Sequence, residues 1–202
     1  MKLYYSPGVC SLSPHIALRE AGLAFELVKV DYETKKLPGG GDYRRLNPLG
    51  YVPLLELDDG QLLAEGPAIV QYIADRKPEA GLAPAAGTLP RYRLQEWLGF
   101  INSELHKAYS SLFDASLPDS VKAAIRKKLA TRLDHAVARL GEQPFVLGER
   151  FSVADGYLFT VLEWSRFVEI DLAAWPVLQA FQARVRQRPA VRAALQAEGL
   201  LK

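Results

Sequence analysis

The N-terminal part of the chain alternates between strand-like and helix-like patterns, and this alternation constrains the fold most. Lys2 to Tyr5 is typical of a short strand, Ser11 to Ala21 has helical spacing closed by Gly22, and Phe25 to Val30 is typical of a second strand. Strands joined by a helix are expected to be parallel, with a right-handed crossover. The sequence therefore predicts a βαβ unit.

A β-hairpin is expected next, because Asp59-Gly60 separates the apolar runs Leu54–Leu57 and Leu62–Ala64. Pro53 stands at the entrance to the first of these strands. It is either an ordinary edge proline or the second residue of a cis peptide bond. In the second case Val52 turns its backbone outward, where its N–H and C=O can pair with an extended peptide ligand.

A new helix is predicted to start after Glu65, with Pro67 in its first turn. Free N–H groups at this start can hold a carboxylate, and the Glu65 side chain can bind an ammonium group. Together they suit the α-carbon end of an amino acid.

The composition changes between Lys77 and Pro90, where proline, alanine and glycine dominate. We expect a first domain over residues 1–79, a linker over 80–89 and an all-helical domain over 90–202. Apolar residues at spacings of three and four predict one long amphipathic helix from Arg91 to Phe113. Four further helices are expected, over Ser120–Leu140, Ser152–Val168, Trp175–Gln187 and Ala190–Glu198.

Two single residues attract attention. Cys10 is the only cysteine and precedes a predicted helix, whose first amide groups favour a thiolate; a lone cysteine is also commonly a small buried hydrophobe. His106 lies on a stripe of small or polar residues of the long helix, where it either lines a cleft or is a solvated surface histidine. Both alternatives stay open.

Ser152 and Asp155 have the spacing of a capping box, but Gly156 leaves the associated hydrophobic staple with Phe151 unmade.

The charge pattern excludes several function classes. The 202 residues carry 25 basic and 23 acidic side chains, a formal charge of +2, scattered without a basic footprint for nucleic acid. The chain begins without a signal-peptide pattern and contains no run long enough for a membrane span. We expect a soluble, cytoplasmic protein without a metal or an internal disulfide.

With these pieces placed, the chain resembles the cytosolic glutathione S-transferases, most closely their bacterial beta class. Five motifs in order carry the resemblance: Ser6-Pro7-x-x-Cys10-Ser11-x-x-Pro14-His15, Asn47-Pro48-x-Gly50-x-Val52-Pro53, Glu65-x-x-Ala68-Ile69, Glu104-Leu105-His106-Lys107 and Phe151-Ser152-Val153-Ala154-Asp155. The resemblance implies a thioredoxin-like α/β domain followed by a helical-bundle domain. It also implies a homodimer that binds glutathione as co-substrate in the cleft between the domains.

The resemblance also implies roles for single residues. Cys10 and His106 are expected to be catalytic and to flank the glutathione sulfur. The expected glutathione-binding residues are Ser11, Lys35, Val52, Pro53, Glu65, Gly66, Ser103, Glu104 and Lys107. Val52 pairs with the cysteinyl backbone, Glu65 and Gly66 hold the γ-glutamyl end, and Lys35 and Lys107 suit the glycyl carboxylate. Ser103 and Glu104 are expected to reach the neighbouring subunit's ligand. Tyr109, Phe113 and Trp164 are candidate pocket walls, although each is expected to be core.

The implied reaction is transfer of glutathione to small hydrophobic electrophiles, as in detoxification. Cys10 adds thiol chemistry to this, with disulfide exchange, peroxide reduction and reductive dehalogenation as possible activities. Two departures from the family pattern favour the alternative of a non-catalytic binding or regulatory protein. Gly66 replaces the usual serine, and Gly99 replaces the asparagine of many relatives. Loss of one hydrogen bond to a charged group costs about 1.5–3 kcal/mol.

Overall fold

The computed structural model describes residues 1–201. Contacts divide the chain into two units. The first combines Met1–Ala83 with the chain from Arg188 onward, and the second is Pro84–Gln187. The C-terminal segment therefore groups with the first unit, whereas the sequence placed it with the helical domain.

A four-stranded mixed sheet forms the centre of the first unit. Its strands are β1 (Lys2–Tyr5), β2 (Glu26–Lys29), β3 (Leu54–Glu56) and β4 (Leu62–Ala64), in the order β2-β1-β3-β4. β1 is parallel to β2 and antiparallel to β3, and β3 is antiparallel to β4. The predicted βαβ unit and hairpin are confirmed, and the arrangement is thioredoxin-like.

Three helices complete this unit: α1 (Leu12–Glu20), α2 (Gly66–Arg76) and α8 (Pro189–Ala197). Both α2 and α8 pack on α1. Arg188, just before α8, donates to the two carboxylate oxygens of Glu20 at 2.6 and 2.8 Å. A bidentate pair fixes geometry better than a single contact, so it anchors the start of α8 to the end of α1.

The second unit is helical. Its α-helices are α3 (Leu89–Phe100), α4 (Lys107–Leu112), α5 (Asp119–Leu140), α6 (Val153–Leu162) and α7 (Pro176–Arg186). Every residue of α6 is buried, as expected of a helix that is apolar on all sides. The helix predicted over Ser152–Val168 is shorter, because a 3₁₀ turn over Glu163–Phe167 follows α6.

The predicted long helix from Arg91 to Phe113 is interrupted. Between α3 and α4 the segment Ile101–His106 is π-helical, so the strict spacing of three and four assumed from the sequence does not hold there. Ile101 and Leu105 stay buried at 0 % exposure. Such π-bulges are frequent at functional sites, and this one contains His106.

The predicted capping box at α6 is confirmed. Oδ2 of Asp155 accepts from the backbone N–H and the hydroxyl of Ser152 at 2.8 and 2.7 Å, and Oδ1 accepts from the Val146 N–H at 2.7 Å. Phe151 packs edge-on against Phe145 instead of a staple partner, with 5.8 Å between ring centroids. The carboxylate therefore ties a neighbouring loop to the start of the buried helix.

Candidate functional site

Cys10 lies in the loop before α1, immediately ahead of the N-cap residue Ser11. It is half-buried and forms no disulfide. Its Sγ donates to the carbonyl oxygen of Val52 at 3.1 Å, a contact that requires the protonated thiol. The loop thus brings the cysteine to the residue before β3, from a distant part of the sequence.

Ser11 holds this loop closed. Its hydroxyl donates to the Ser6 carbonyl at 3.1 Å and accepts from the Ser6 N–H at 3.2 Å. The residue is 0 % exposed, so it has no surface to offer a ligand. Ser11 therefore supports the loop from inside and does not belong to the proposed glutathione contacts.

Val52 precedes Pro53, and the peptide bond between them is cis, as one of the two sequence interpretations proposed. The Val52 side chain packs into a buried cluster with Tyr4, Tyr43 and other residues. Its carbonyl accepts from Cys10, and within residues 1–201 its N–H has no hydrogen-bond partner. The N–H is thus available to an extended ligand.

The start of α2 lies beside this segment. A Cβ placed on Gly66 would lie 4.0 Å from Cγ of Pro53. Ala68 and Ile69 N–H groups bond to the Glu65 carbonyl at 3.0 and 2.9 Å. Within the described part of the chain the Gly66 N–H has no partner, and Pro67 has no N–H, so this helix offers one free donor for a carboxylate.

Glu65 itself has a strained backbone, with φ of 68° and ψ of 111°, where non-glycine residues are rare. Strain of this kind costs about 1–3 kcal/mol and clusters at functional sites. The residue is exposed. Its carboxylate has no ion-pair partner among residues 1–201, which fits a side chain held ready for a cationic group.

Lys35 also has a left-handed backbone, with φ of 58°. Its ammonium group lies 4.2 Å from the ring centroid of Tyr32, a cation–π contact that limits its motion. Its aliphatic chain would lie 3.5 Å from a Cβ at Gly50.

A buried polar network behind the Cys10 loop was missed by the sequence analysis. The Glu198 carboxylate accepts from the Gly8 N–H at 2.9 Å and contacts Nδ1 of His15 at 2.8 Å. The Arg19 Nε donates to Nε2 of His15 at 2.8 Å. His15 and Glu198 are far apart in sequence, so no local pattern pairs them, and their burial is visible only in the structure.

His106 is the centre of the site in the second unit. Its Nδ1 lies 2.6 Å from the hydroxyl of Tyr157, which in turn donates to Oδ1 of Asn102 at 2.9 Å. The Trp164 ring stands edge-on to the imidazole, with centroids 4.9 Å apart. Burial, with the Lys107 ammonium adding to it, lowers the pKa of His106 to about 4. The imidazole is therefore neutral at pH 7, and the solvated alternative is wrong.

The other predicted residues of this unit lie around the π-helical segment. Ser103 and Lys107 are exposed, and Glu104 accepts from Arg132 Nε at 3.0 Å. Tyr109 and Trp164 are core, at 0 % and 6 % exposure, as expected.

Phe113 follows the last residue of α4 and is 51 % exposed. The expectation that it is core is wrong, because the chain leaves the helix at this point. Its ring still contacts the edge of Trp164, with centroids 6.3 Å apart.

Comparison with known proteins decides the family. Residues 8–76 match the glutathione S-transferase N-terminal domain and residues 100–189 match the C-terminal domain. Glutathione S-transferase GstA of Escherichia coli O157:H7 is 46% identical over 99% of this chain and 100% of its own. The chain belongs to the glutathione S-transferase family. The expectation of a glutathione transferase is confirmed at this level.

Similar solved structures agree with the assignment of this chain to the glutathione S-transferase family. The ternary complex of BphK, a bacterial GST, is 61% identical with a TM-score of 0.97, covering 99% of this chain and 100% of that one. A sphingomonad glutathione S-transferase complexed with glutathione has 50% identity and a TM-score of 0.95 over the full length of both chains. A bacterial beta-class enzyme from Sphingomonas chungbukensis has 51% identity and a TM-score of 0.95, also over both full lengths. The beta-class resemblance of the motifs is thereby confirmed.

Within residues 1–201 no helix is long and apolar enough to span a bilayer. The same residues contain no cluster of three or more histidine, cysteine or acidic side chains that could hold a metal ion.

Proposed function

We propose that this transferase binds glutathione and transfers it to small hydrophobic electrophiles, with Cys10 adding thiol–disulfide chemistry. The observation that carries the proposal lies within the first unit. Cys10 Sγ is 3.1 Å from the Val52 carbonyl, and Gly66 adjoins the neighbouring Pro53. Three motifs far apart in sequence thus supply a thiol, a backbone for an extended peptide and a helix start for a carboxylate.

The free groups of this unit match the parts of a γ-glutamyl tripeptide. The Val52 N–H suits the cysteinyl carbonyl, and the Gly66 N–H suits the γ-glutamyl carboxylate. The Glu65 carboxylate suits the α-ammonium group. Lys35 supplies positive charge for the glycyl carboxylate. A site of this kind orients the thiol towards the second substrate.

The proposed redox step uses a disulfide that contains glutathione. The Cys10 thiolate attacks the glutathione sulfur, forms a mixed disulfide with glutathione and releases the other sulfur as a thiolate. A further glutathione thiolate then attacks the mixed disulfide, which releases Cys10 and yields glutathione disulfide. The resting contact of the thiol with the Val52 carbonyl requires Cys10 to lose its proton before the first attack.

We also propose a homodimer, in which Ser103 and Glu104 reach the ligand of the neighbouring subunit. The resemblance supports this, as do exposed apolar side chains of the first unit: Leu49 at 69 % and Tyr51 at 65 % exposure. Light scattering behind a sizing column measures the assembly directly, and a monomer at micromolar concentration would contradict it.

The second candidate is a non-catalytic binding protein with this fold. Gly66 and Gly99 favour it, because each lacks a side-chain donor that many relatives carry. The half-buried His106, which a lowered pKa of about 4 keeps neutral, favours catalysis, because a neutral imidazole can act as a base.

A calorimetric titration with glutathione tests the proposed function. We expect binding in the micromolar to low-millimolar range, lost in Glu65→Ala and kept in the control Glu79→Ala. Glu79 is also exposed, but it pairs with Lys77 at 2.8 Å. Absence of binding by the unmodified protein would favour the non-catalytic candidate.

A further inference from the structure

The hydrogen bonds around His106 determine which ring nitrogen carries the proton. The Tyr157 hydroxyl has a single hydrogen, and it donates this hydrogen to Oδ1 of Asn102 at 2.9 Å. The 2.6 Å contact with Nδ1 of His106 then requires Nδ1 to be the donor. Because the imidazole is neutral, its Nε2 carries a lone pair.

We propose that Tyr157 and Asn102 are positioning residues that hold His106 in the Nδ1–H tautomer, so that Nε2 accepts the proton of the glutathione thiol. The inference rests on the proposed function, because it assigns a role to His106 in the proposed transfer. It adds two residues that neither the motifs nor the comparisons indicate.

The local structure holds the residues that select this tautomer in fixed positions. Tyr157 is 2 % exposed on the fully buried helix α6. Asn102 and His106 both lie in the π-helical segment, one turn apart, so they share a face and reach the same hydroxyl. The edge of Trp164 restricts rotation of the imidazole.

The Nε2 atom of the imidazole can accept a proton. Within residues 1–201 Nε2 has no hydrogen-bond partner, and the residue is half-buried. The proposed step breaks the S–H bond of glutathione and moves its proton to Nε2. The resulting imidazolium keeps its Nδ1–H bond to Tyr157, and the thiolate keeps the electron pair. The proton returns to a leaving group or to water after the transfer.

The opposite arrangement has a clear signature. If the Asn102 amide were turned, its Nδ2 would donate to Tyr157, and Tyr157 would donate to Nδ1. Nε2 would then carry the proton and could only donate to a thiolate already formed. The two arrangements differ in which imidazole nitrogen is protonated, and ¹⁵N NMR reads this directly.

The decisive measurement is a ¹H–¹⁵N long-range correlation spectrum of ¹⁵N-histidine-labelled protein without ligand. The chain has three histidines, and a His106→Asn spectrum assigns the relevant signals. We expect a protonated Nδ1 and an unprotonated Nε2. A protonated Nε2 in the unmodified protein would overturn the inference, whether or not the protein is an active transferase.

Two variants test the positioning roles. Tyr157→Phe removes the acceptor of the Nδ1–H, and Asn102→Leu releases the Tyr157 hydroxyl to donate to Nδ1. Both are expected to shift protonation towards Nε2. Thr160→Val is the matched control, because it removes another buried hydroxyl of α6, bonded to the Gly156 carbonyl at 2.8 Å. Unchanged spectra in both test variants would refute the positioning role.

Kinetics separate this inference from the function it rests on. We expect each test variant to lower kcat by about tenfold or more, up to the factor of about 10²–10⁴ that a positioned base contributes. The KM for glutathione should stay within about twofold. If the protein lacks transferase activity, the proposed function fails while the spectra still decide the tautomer. An active enzyme whose variants shift protonation but keep full kcat would overturn the role of Nε2.

Discussion

Oε1 of Glu198 lies 2.8 Å from Nδ1 of His15, and both side chains are 0 % exposed. The second oxygen of the same carboxylate accepts from the Gly8 N–H at 2.9 Å. Gly8 belongs to the loop that carries Cys10. The loop is thus held from behind by a residue that follows the last helix of the chain.

Glu198→Gln is expected to destabilise the protein. An amide keeps the shape but replaces one accepting oxygen by an NH₂ group, which then faces either the Gly8 N–H or the imidazole N–H. A buried donor left unsatisfied costs about 1–3 kcal/mol. Urea unfolding should show a lower midpoint with an unchanged slope. Glu79→Gln, at an exposed ion pair, should change stability by less than about 1 kcal/mol. Equal losses in the two variants would contradict the special role of Glu198.

Gly66→Ser is expected to tighten glutathione binding. A Cβ at this position meets only Cγ of Pro53, at 4.0 Å, so the serine fits without strain. Its hydroxyl can add a hydrogen bond to the γ-glutamyl carboxylate, worth about 1.5–3 kcal/mol, or roughly tenfold or more in Kd. Gly66→Ala adds the Cβ without the hydroxyl. If the alanine variant gains as much in calorimetry, backbone stiffening and not the hydroxyl is responsible.

Cys10→Ala is expected to separate two activities. Disulfide exchange requires the Cys10 sulfur in a mixed disulfide, so its turnover should fall to background. Conjugation of an aromatic electrophile needs only the glutathione thiol, so it should partly survive. Both rates are measured on the same preparation, with Ser110→Ala as a surface control. An equal loss of both activities would contradict this division.

Asp155→Ala is expected to lower the free energy of unfolding by about 2 kcal/mol or more, because the backbone N–H groups of Ser152 and Val146 lose their acceptor. Burial raises the pKa of Asp155 to about 6. The native state therefore holds a proton that the unfolded chain releases near pH 4, so the contribution of Asp155 decreases as pH rises from about 4 to 6. Urea unfolding of both proteins at pH 4 and pH 7 measures this difference. A larger difference at pH 7 would contradict the direction of the shift.

Local patterns were sufficient for most of the fold. The βαβ alternation, the Asp59-Gly60 hairpin and the Ser152–Asp155 capping box are decided by residues close together in sequence. The π-helical segment was not predictable in this way, because it inserts a wider turn without any proline or glycine to mark it.

The site was predictable only where its motifs are local. Cys10 and Val52 follow from motifs, but their contact at 3.1 Å depends on the folded sheet. Tyr157 meets His106 across a sequence separation of 51, and a buried tyrosine on an apolar helix has no distinctive pattern. The expected contact of Ser11 with glutathione came from its position in a motif. In the folded chain the packing of the loop turns this side chain inward.

His106 is expected to stay neutral in the folded protein at pH values well above its pKa, including pH 7. Burial lowers its pKa to about 4, whereas an unfolded histidine titrates near about 6.5. The unfolded chain therefore takes up a proton first, and the stability contribution of His106 is lost as pH falls from about 6.5 to 4. The free energy of unfolding should fall more over this window in the unmodified protein than in His106→Asn. An equal pH dependence of the two proteins would contradict the burial of the imidazole.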